Sequence, residues 1–211
     1  TRVLTYRAAY LISTGIRPDS ILALTFTNKA ANEMKGRITS LVQGSSKSIW
    51  MGTFHSIFAR ILRIEGEHLG YGRNFTIYDT DDSLALVKNS MNLLKISQQQ
   101  FNPQGIRSRI SGAKNQMISA KACIASAVDP LAVRTGLVYE EYEKKLKSSN
   151  AMDFDDLLLK PLELFRKFPA ILERYQYRFR YILVDEYQDT NRVQYLLITE
   201  LARQHRNICV V

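Results

Sequence analysis

Cysteine is scarce in this sequence of 211 residues, which contains two, Cys123 and Cys209. Their positions show neither the spacing of a metal-binding motif nor that of a disulfide framework. Cys209 stands in the apolar run NICVV, where a small buried side chain is expected. The sequence therefore gives no sign of a disulfide-stabilised fold, and it fits the reducing cytosol.

Long hydrophobic runs are also absent, since no stretch approaches the ~18 consecutive apolar residues of a membrane span. The opening TRVLTYRAAY carries Arg2 and Arg7 within its apolar pattern, which is not the pattern of a secretory signal. Repeats and low-complexity tracts are lacking as well. With 45% hydrophobic and 23% charged residues, the composition predicts a soluble globular protein with a core and without a membrane partner.

Acidic residues are fewer than basic ones, 20 against 29, which gives a formal net charge of +9. Such an excess favours a polyanionic partner, and nucleic acid before an acidic membrane surface. Because charge governs association and not fold, a soluble basic protein without such a partner remains the alternative.

Short apolar runs alternate with amphipathic helical patterns along the chain. Residues 2–14 predict a helix that ends at Gly15, and strands are predicted at residues 21–26, 49–54, 75–79, 181–185 and 208–211. The last two strands flank a helix, and this order predicts a right-handed parallel crossover. We predict an α/β fold in which residues 1–79 and 180–211 form one parallel-sheet domain. Residues 80–179, with few strand signals, predict a mostly helical insertion.

The predicted insertion is rich in basic residues. Between residues 88 and 150 stand ten Lys or Arg and four acidic residues. A basic helical face of this kind would bind phosphate groups without sequence preference. An ordinary solvated surface explains the same charges, and both interpretations stay open.

The string VDEYQDTN, residues 184–191, follows the apolar run YIL at the end of a predicted strand. Ligands of open parallel sheets bind beyond the carboxyl ends of the strands. Asp185 there suits a hard cation such as Mg²⁺, and Glu186 suits the orientation of an attacking water. The alternative is an acidic pair that ends a strand by chance or caps the next helix.

Two strand-to-helix junctions carry polar side chains that could bind a nucleic acid. The first junction is ALTFTNKAANEMKGRI at residues 23–38. Free backbone N–H groups at the helix start there bind anions, and Lys29 adds a positive charge. Phe26 could stack on a base. The alternative places Phe26 in the core and gives Asn28 only a capping role. The second junction, GTFHSIFARILR at residues 52–63, repeats the pattern.

Together these strings resemble motifs II, Ia and Ib of UvrD/PcrA/Rep-type superfamily 1 DNA helicases. The resemblance implies a RecA-like P-loop NTPase sheet with helices on both faces. It implies that Asp185 binds Mg²⁺, that Glu186 polarises the hydrolytic water, and that Gln188 and Asp189 support the nucleotide site. The DNA contacts that it implies are Thr25, Phe26, Thr27, Asn28, Lys29, Thr53, Phe54 and His55.

A complete phosphate loop, GxxxxGK[ST], is absent from the sequence. Residues 44–48, GSSKS, lead into a predicted strand and lack the first glycine, so they do not replace it. The opening TRVLTYRAAYL resembles the segment that directly follows the GxGKT loop of the family. By this resemblance Thr1 is the last residue of the loop and a Mg²⁺ ligand, and Arg2 lies beside the nucleotide. We therefore expect a fragment of a longer protein.

The resemblance implies the cofactors ATP and Mg²⁺, and as partners single-stranded DNA, single-strand/duplex junctions and the remaining helicase domains of the same polypeptide. It also implies 3′-to-5′ movement, and a cytoplasmic protein at the nucleoid that acts in repair or replication restart. One alternative is a non-enzymatic DNA-binding module. Others are a helicase–nuclease fusion and a metal nuclease, the latter with Asp185, Glu186 and the acidic string DFDD at residues 153–156.

Overall fold

The computed structural model describes residues 2–42 and 48–211. The chain divides into two compact units. The first unit contains the residues up to Ile61 and those from Pro161 onward, and the second unit contains residues 62–160. The helices are α1 (Arg2–Ser13), α2 (Asn28–Val42), α3 (Phe54–Glu65), α4 (Thr80–Leu93), α5 (Pro103–Asn115), α6 (Ala120–Ala125), α7 (Pro130–Ser148), α8 (Asp156–Lys167), α9 (Pro169–Arg178) and α10 (Arg192–Ala202).

The sheet of the first unit is parallel throughout. It contains β1 (Ile21–Thr25), β2 (Trp50–Thr53), β5 (Tyr181–Val184) and β6 (Ile208–Val210), in the order β2-β1-β5-β6. All pairs run parallel, and every residue of the inner strand β1 is buried. Inner strands of a parallel sheet are covered on both faces, which explains the continuous apolar run ILAL. The predicted α/β fold with a parallel sheet is confirmed.

Helices cover both faces of this sheet. On one face α1 and α2 pack on the strands through Leu4, Ala8, Met34 and Ile38, which share a core cluster with Ala23 of β1. Aromatic rings from β2 and from the end of α9 also pack together in this unit. Trp50 meets Phe179 edge-on at 5.2 Å between ring centroids, and the Arg60 guanidinium lies 3.8 Å from the Trp50 ring.

The second unit is built on helices and a small two-stranded sheet. Its strands are β3 (Thr76–Tyr78) and β4 (Ala151–Asp153), which pair in parallel. The core consists of apolar side chains from α4, α5 and α7, among them Val87, Met91, Ile106, Ile110, Val138 and Tyr142. Asp129 caps helix α7, because its carboxylate accepts a hydrogen bond from the Ala132 N–H at 2.8 Å.

Two features of the structure differ from the bounds expected from the sequence. The strand predicted at residues 75–79 does not join the main sheet but pairs with β4 in the second unit. The predicted insertion at residues 80–179 overlaps this unit, whose bounds are 62–160. Strand β4 has three residues, too few to show an alternating or apolar pattern in the sequence. Helix α8 runs through Pro161 without a break, although a proline there predicts a kink or restart.

None of the helices in the described part of the chain is long and apolar enough to cross a membrane.

Candidate nucleotide and nucleic-acid sites

The three strand-to-helix junctions that the sequence singles out lie side by side at one edge of the main sheet. Thr25, the last residue of β1, is in register with Thr53, the last residue of β2. On the other side of β1, Leu24 is in register with Val184, and the Asp185 N–H donates to the Leu24 carbonyl at 3.0 Å. Since all these strands are parallel, this is the carboxyl edge, where ligands of such sheets bind.

Asp185 and Glu186 differ sharply in their surroundings. Asp185 is 2% exposed at the end of β5, where the hydrogen bond to β1 fixes its backbone. Glu186 is exposed and has left-handed backbone angles, φ 51° and ψ 46°. Such a conformation costs a residue other than glycine about 1–2 kcal/mol. The turn therefore holds one carboxylate in the sheet and directs the next toward solvent.

The rest of the VDEYQDTN string forms a turn and a helix cap. Residues 187–189 form a 3₁₀ turn, which the Tyr187 N–H ties to the Val211 carbonyl at 2.8 Å. Gln188 and Asp189 are exposed on this turn. Asn191 caps α10, and its side chain accepts from the Gln194 N–H at 2.9 Å. The asparagine of the string is thus explained by helix capping.

At the junction of β1 and α2 the helix cap is Thr27. Its Oγ1 accepts a hydrogen bond from the Ala30 N–H at 3.1 Å, which corrects the capping role predicted for Asn28. Asn28 and Lys29 are exposed in the first turn of α2. Thr25 is fully buried, and its Oγ1 donates to the Thr27 carbonyl at 3.2 Å. Thr25 therefore shapes the junction through this hydrogen bond, and the DNA contact predicted for it stays a prediction.

Phe26 and Phe54, both predicted to contact DNA, occupy different positions. Phe26 is half-buried, and its ring centroid lies 5.4 Å from that of Phe54. Phe54 is 1% exposed and stacks on Phe58 at 6.5 Å. The Phe54 ring packs against the rings of Phe26 and Phe58 and has almost no exposed surface, and the DNA contact predicted for it stays a prediction. A phenylalanine that directly follows the last threonine of a strand does not reveal from the sequence whether its ring will be buried.

The junction of β2 and α3 is held by a reciprocal pair of hydrogen bonds. Thr53 Oγ1 accepts from the Ser56 N–H at 3.2 Å, and Ser56 Oγ donates to the Thr53 carbonyl at 2.9 Å. A Cβ added to Gly52 would lie 2.5 Å from Ser56 Oγ, so a glycine is needed for this close approach. Thr53 is nearly buried at 8% exposure, whereas His55 is half-buried. The cap accounts for the Thr53 side chain, and His55 is the most exposed of the three residues predicted to contact DNA at this junction.

Thr1, the predicted end of the phosphate loop, lies outside the described residues. Arg2 begins α1, is exposed, and has its guanidinium 5.8 Å from the Tyr6 ring centroid. Arg2 and Tyr6 line a cavity of about 370 Å³ together with Arg37 and Leu41 of α2. Arg37 also forms an ion pair with Glu33. It is a candidate nucleotide-site residue that the sequence analysis did not identify. An arginine on an amphipathic helix has no spacing that distinguishes it from a solvated one.

The acidic string of the second unit is neutralised by a buried lysine. Lys114 is 1% exposed, and its Nζ lies 2.8 Å from Asp153 Oδ2, 3.0 Å from Asp156 Oδ1 and 2.6 Å from Glu143 Oε1. Asp153 Oδ1 also accepts a hydrogen bond from the Asp156 N–H at 2.9 Å, at the start of α8. Among residues 2–42 and 48–211, no group of three or more His, Cys, Asp or Glu side chains could hold a metal ion. The ion pairs with Lys114 account for the buried Asp153 and Asp156 side chains.

The pKa values in this cluster follow from burial and from Lys114. Burial raises the pKa of Asp156 to about 7, and the lysine offsets only part of that effect. Asp153 is buried as well, yet the charge and hydrogen bond of Lys114 hold its pKa below the usual value. Burial opposes the charge on Lys114, but Asp156, Asp153 and Glu143 together raise its pKa well above the usual value. Burial thus favours a bound proton on Asp156, whereas Lys114 keeps the Asp153 carboxylate ionised.

Several of the basic residues between positions 88 and 150, in the predicted insertion, have structural partners. Besides Lys114, Lys144 lies 3.5 Å from Glu140, and Lys145 donates to Asn89 Oδ1 at 3.0 Å. Lys147 donates to the Gly70 carbonyl at 2.8 Å and lies 3.5 Å from the Tyr71 ring centroid. The basic face available to a polyanion is therefore smaller than the count of lysines and arginines indicates.

A family model described as the UvrD/REP helicase N-terminal domain matches residues 1–211. The chain is 44% identical over 212 residues to an ATP-dependent DNA helicase PcrA of Bacillus subtilis (strain 168). It is 43% identical over the same length to the PcrA proteins of Staphylococcus aureus (strain Mu50 / ATCC 700699) and of a Staphylococcus epidermidis strain. Each alignment covers 100% of this chain and 29% of the relative, so the chain spans less than a third of the length of these relatives.

Proposed function

The chain belongs to the UvrD/REP helicase N-terminal domain family, and from this premise we propose that it is the nucleotide- and DNA-binding part of an ATP-dependent DNA helicase. The observation that carries the proposal is the meeting of three junctions at one carboxyl edge, where Asp185, Thr25 and Thr53 end adjacent parallel strands. An acidic strand end beside two helix starts combines a place for a cation with places for phosphate groups.

Asp185 is the residue that we assign to Mg²⁺ on this edge. A carboxylate that is buried at a strand end offers the hard oxygen ligand that Mg²⁺ takes, together with water and substrate phosphates. We assign Thr1 as the second ligand by family resemblance, and Arg2, Arg37 and Gln188 to the surroundings of the nucleotide. Bound Mg²⁺ supplies neutralisation of the charge that develops on the phosphates.

Glu186 is the residue that we assign to the attacking water. The left-handed turn directs its exposed carboxylate away from the buried strand that holds Asp185. A carboxylate in that position orients the water and accepts its proton. Because a strained backbone at a site is a recurring property of functional residues, the conformation of Glu186 supports this role.

The DNA contacts that we propose are the exposed and half-buried side chains of the two other junctions, namely Phe26, Thr27, Asn28, Lys29 and His55. Lys29 and the first N–H groups of α2 bind backbone phosphates. The ring of Phe26, supported from below by Phe54, stacks on a base without reading its identity. Such contacts fit a protein that moves along a single strand.

In the complete protein, we propose, ATP binds between this unit and a second RecA-like domain of the same polypeptide, and closure of that cleft drives steps along single-stranded DNA. The protein moves 3′ to 5′ along the strand, and it opens duplex at single-strand/duplex junctions during repair or replication restart. Polarity and pathway rest on the family resemblance alone.

The substitution Glu186→Gln in the complete protein tests this assignment. We expect DNA-stimulated ATP hydrolysis to fall by a factor of about 100 or more, because general-base or water-orienting groups contribute that much. Nucleotide binding, measured with a fluorescent ATP analogue, should be retained, since the amide keeps the size of the side chain. Glu173→Gln, at an exposed glutamate of the same unit, is the matched control and should hydrolyse ATP normally. Turnover by the Glu186→Gln protein at the rate of the control would refute the role.

A further inference from the structure

A second cavity lies at the amino edge of the main sheet, opposite to the edge that holds Asp185. It has a volume of about 580 Å³, and all the residues that line it belong to the first unit. Arg17 and Asp19 precede β1, and Arg180 precedes β5. Arg174 and Tyr177 come from α9. The proposed nucleotide and DNA junctions use the carboxyl ends of these same strands, so this cavity is separate from them.

The lining of the cavity is strongly basic. Four arginines contribute to it, Arg17, Arg174, Arg178 and Arg180, and Asp19 is the one acid among the described lining residues. Asp19 is engaged by the guanidinium of Arg17, with hydrogen bonds of 3.1 Å and 2.7 Å. These hydrogen bonds hold the pKa of the Asp19 carboxyl below its usual value, so it is ionised and satisfied at neutral pH. The formal charge of the lining is then three positive.

One face of α9 alternates arginine with an aromatic ring. Arg174, Tyr177 and Arg178 stand at positions i, i+3 and i+4, which lie on the same side of a helix. Tyr177 is 78% exposed, an unusual position for a large ring. The guanidinium of Arg178 lies 4.7 Å from the Trp50 ring centroid, a contact that limits its rotation. The cavity therefore combines a partly ordered basic wall with a free aromatic surface.

We propose that this cavity binds the phosphate backbone of DNA as a second contact, on the side of the sheet away from the proposed helicase track. Guanidinium groups match phosphate oxygens in pairs, and arginine with an exposed aromatic ring is the combination that binds single strands without sequence preference. The volume lies within the range of about 300–1,000 Å³ that is usual for ligand sites. The inference rests on the proposed function, because it requires a DNA strand at the carboxyl edge that continues to this one.

The test uses the complete protein with the double substitution Arg174→Gln/Arg180→Gln. Binding of a long thymidine oligonucleotide is measured over a range of salt concentrations. Each lost phosphate contact reduces the slope of log K against log salt by about 0.7, so we expect a reduction of about 1.4. A short oligonucleotide that fills only the carboxyl-edge site should bind the variant as it binds the wild type. Arg166→Gln/Arg206→Gln, which removes two exposed arginines of the same unit outside the cavity, is the control.

A second variant keeps the charge of the cavity. Tyr177→Ala removes the exposed ring and should weaken binding of the long oligonucleotide by about fivefold or more, without a change in the salt slope. The inference is overturned if both variants bind the long oligonucleotide like the control while the short one binds normally. If polyglutamate binds the wild type and not the double variant, and the DNA slope is unchanged, the cavity serves an acidic protein segment and the inference is likewise overturned. Failure of the wild type to bind the short oligonucleotide would instead refute the proposed function.

Discussion

Lys114 is a lysine with 1% exposure that lies within 3.0 Å of three carboxylates. A buried charge of this kind is stable only while its partners remain, because removal of one partner leaves the others uncompensated in the protein interior. The lysine joins α5 to the acidic segment at the start of α8. Its role is therefore to hold the second unit together, and the residues DFDD are explained without a metal.

The substitution Lys114→Met tests this role. It removes the ammonium and leaves Asp153, Asp156 and Glu143 without their shared partner. We expect the free energy of unfolding to fall by about 3–5 kcal/mol, measured by urea denaturation. Lys144→Met, which breaks the exposed pair with Glu140, should change it by about 1 kcal/mol or less. Equal effects of the two substitutions would contradict a structural role for Lys114.

Asp156 makes stability depend on pH. Burial raises its pKa from 3.8 to about 7, so the folded protein binds this proton more tightly than the unfolded chain does. The contribution of a carboxyl with a raised pKa becomes less favourable as pH rises between these two values. We expect the free energy of unfolding of the wild type to decline across this window relative to that of Asp156→Asn, which cannot titrate. A difference in the free energy of unfolding between the wild type and Asp156→Asn that stays constant at all pH values would rule out this proton.

At the scale of elements, the junction between β2 and α3 depends on the absence of a side chain at Gly52. A Cβ at that position would meet Ser56 Oγ at 2.5 Å, while the next nearest atoms, in Ile57, are 3.5 Å away. Gly52→Ala therefore displaces Ser56 and the first turn of α3, which carries His55. We expect a loss of about 1–3 kcal/mol in stability and weaker binding of single-stranded DNA.

The double substitution Gly52→Ala/Ser56→Ala is the control for this prediction. It removes the clashing hydroxyl, and its remaining cost is the hydrogen bond to the Thr53 carbonyl. We expect it to be more stable than Gly52→Ala alone when thermal unfolding is compared. A double variant less stable than either single variant would show that the clash does not control this junction.

Elements differ in how far the sequence predicts them. The apolar runs of β1 and β5 are visible because both faces of an inner parallel strand are buried. Strand β4 is too short to leave a pattern, and no local signal shows that β3 pairs with it, since pairing is a long-range property. Thr27 and Asn28 are both good caps, so residue type alone does not decide between them. The burial of Phe54 likewise depends on Phe26 and Phe58, which the sequence does not place beside it.

At the scale of the whole molecule, the formal charge of +9 and the missing GxxxxGK[ST] string set what the isolated chain can do. We expect this 211-residue chain to bind single-stranded DNA weakly, with an affinity that falls steeply as salt is added. ATP hydrolysis should not exceed the rate of the Glu186→Gln helicase, because no lysine of a phosphate loop is present. Robust turnover by the purified chain, measured as phosphate release, would contradict this account.

The hydrogen bond from Asp185 to Leu24 has a mechanical consequence. Strand β1, which ends in Thr25, pairs on one side with β5, which leads into Asp185, and on the other side with β2, which ends in Thr53. We therefore expect a displacement of Asp185 to move the ends of β1 and β2 as well, because backbone hydrogen bonds join the three strands. In the proposed helicase, ATP hydrolysis and DNA binding would therefore be coupled through a rigid part of the sheet.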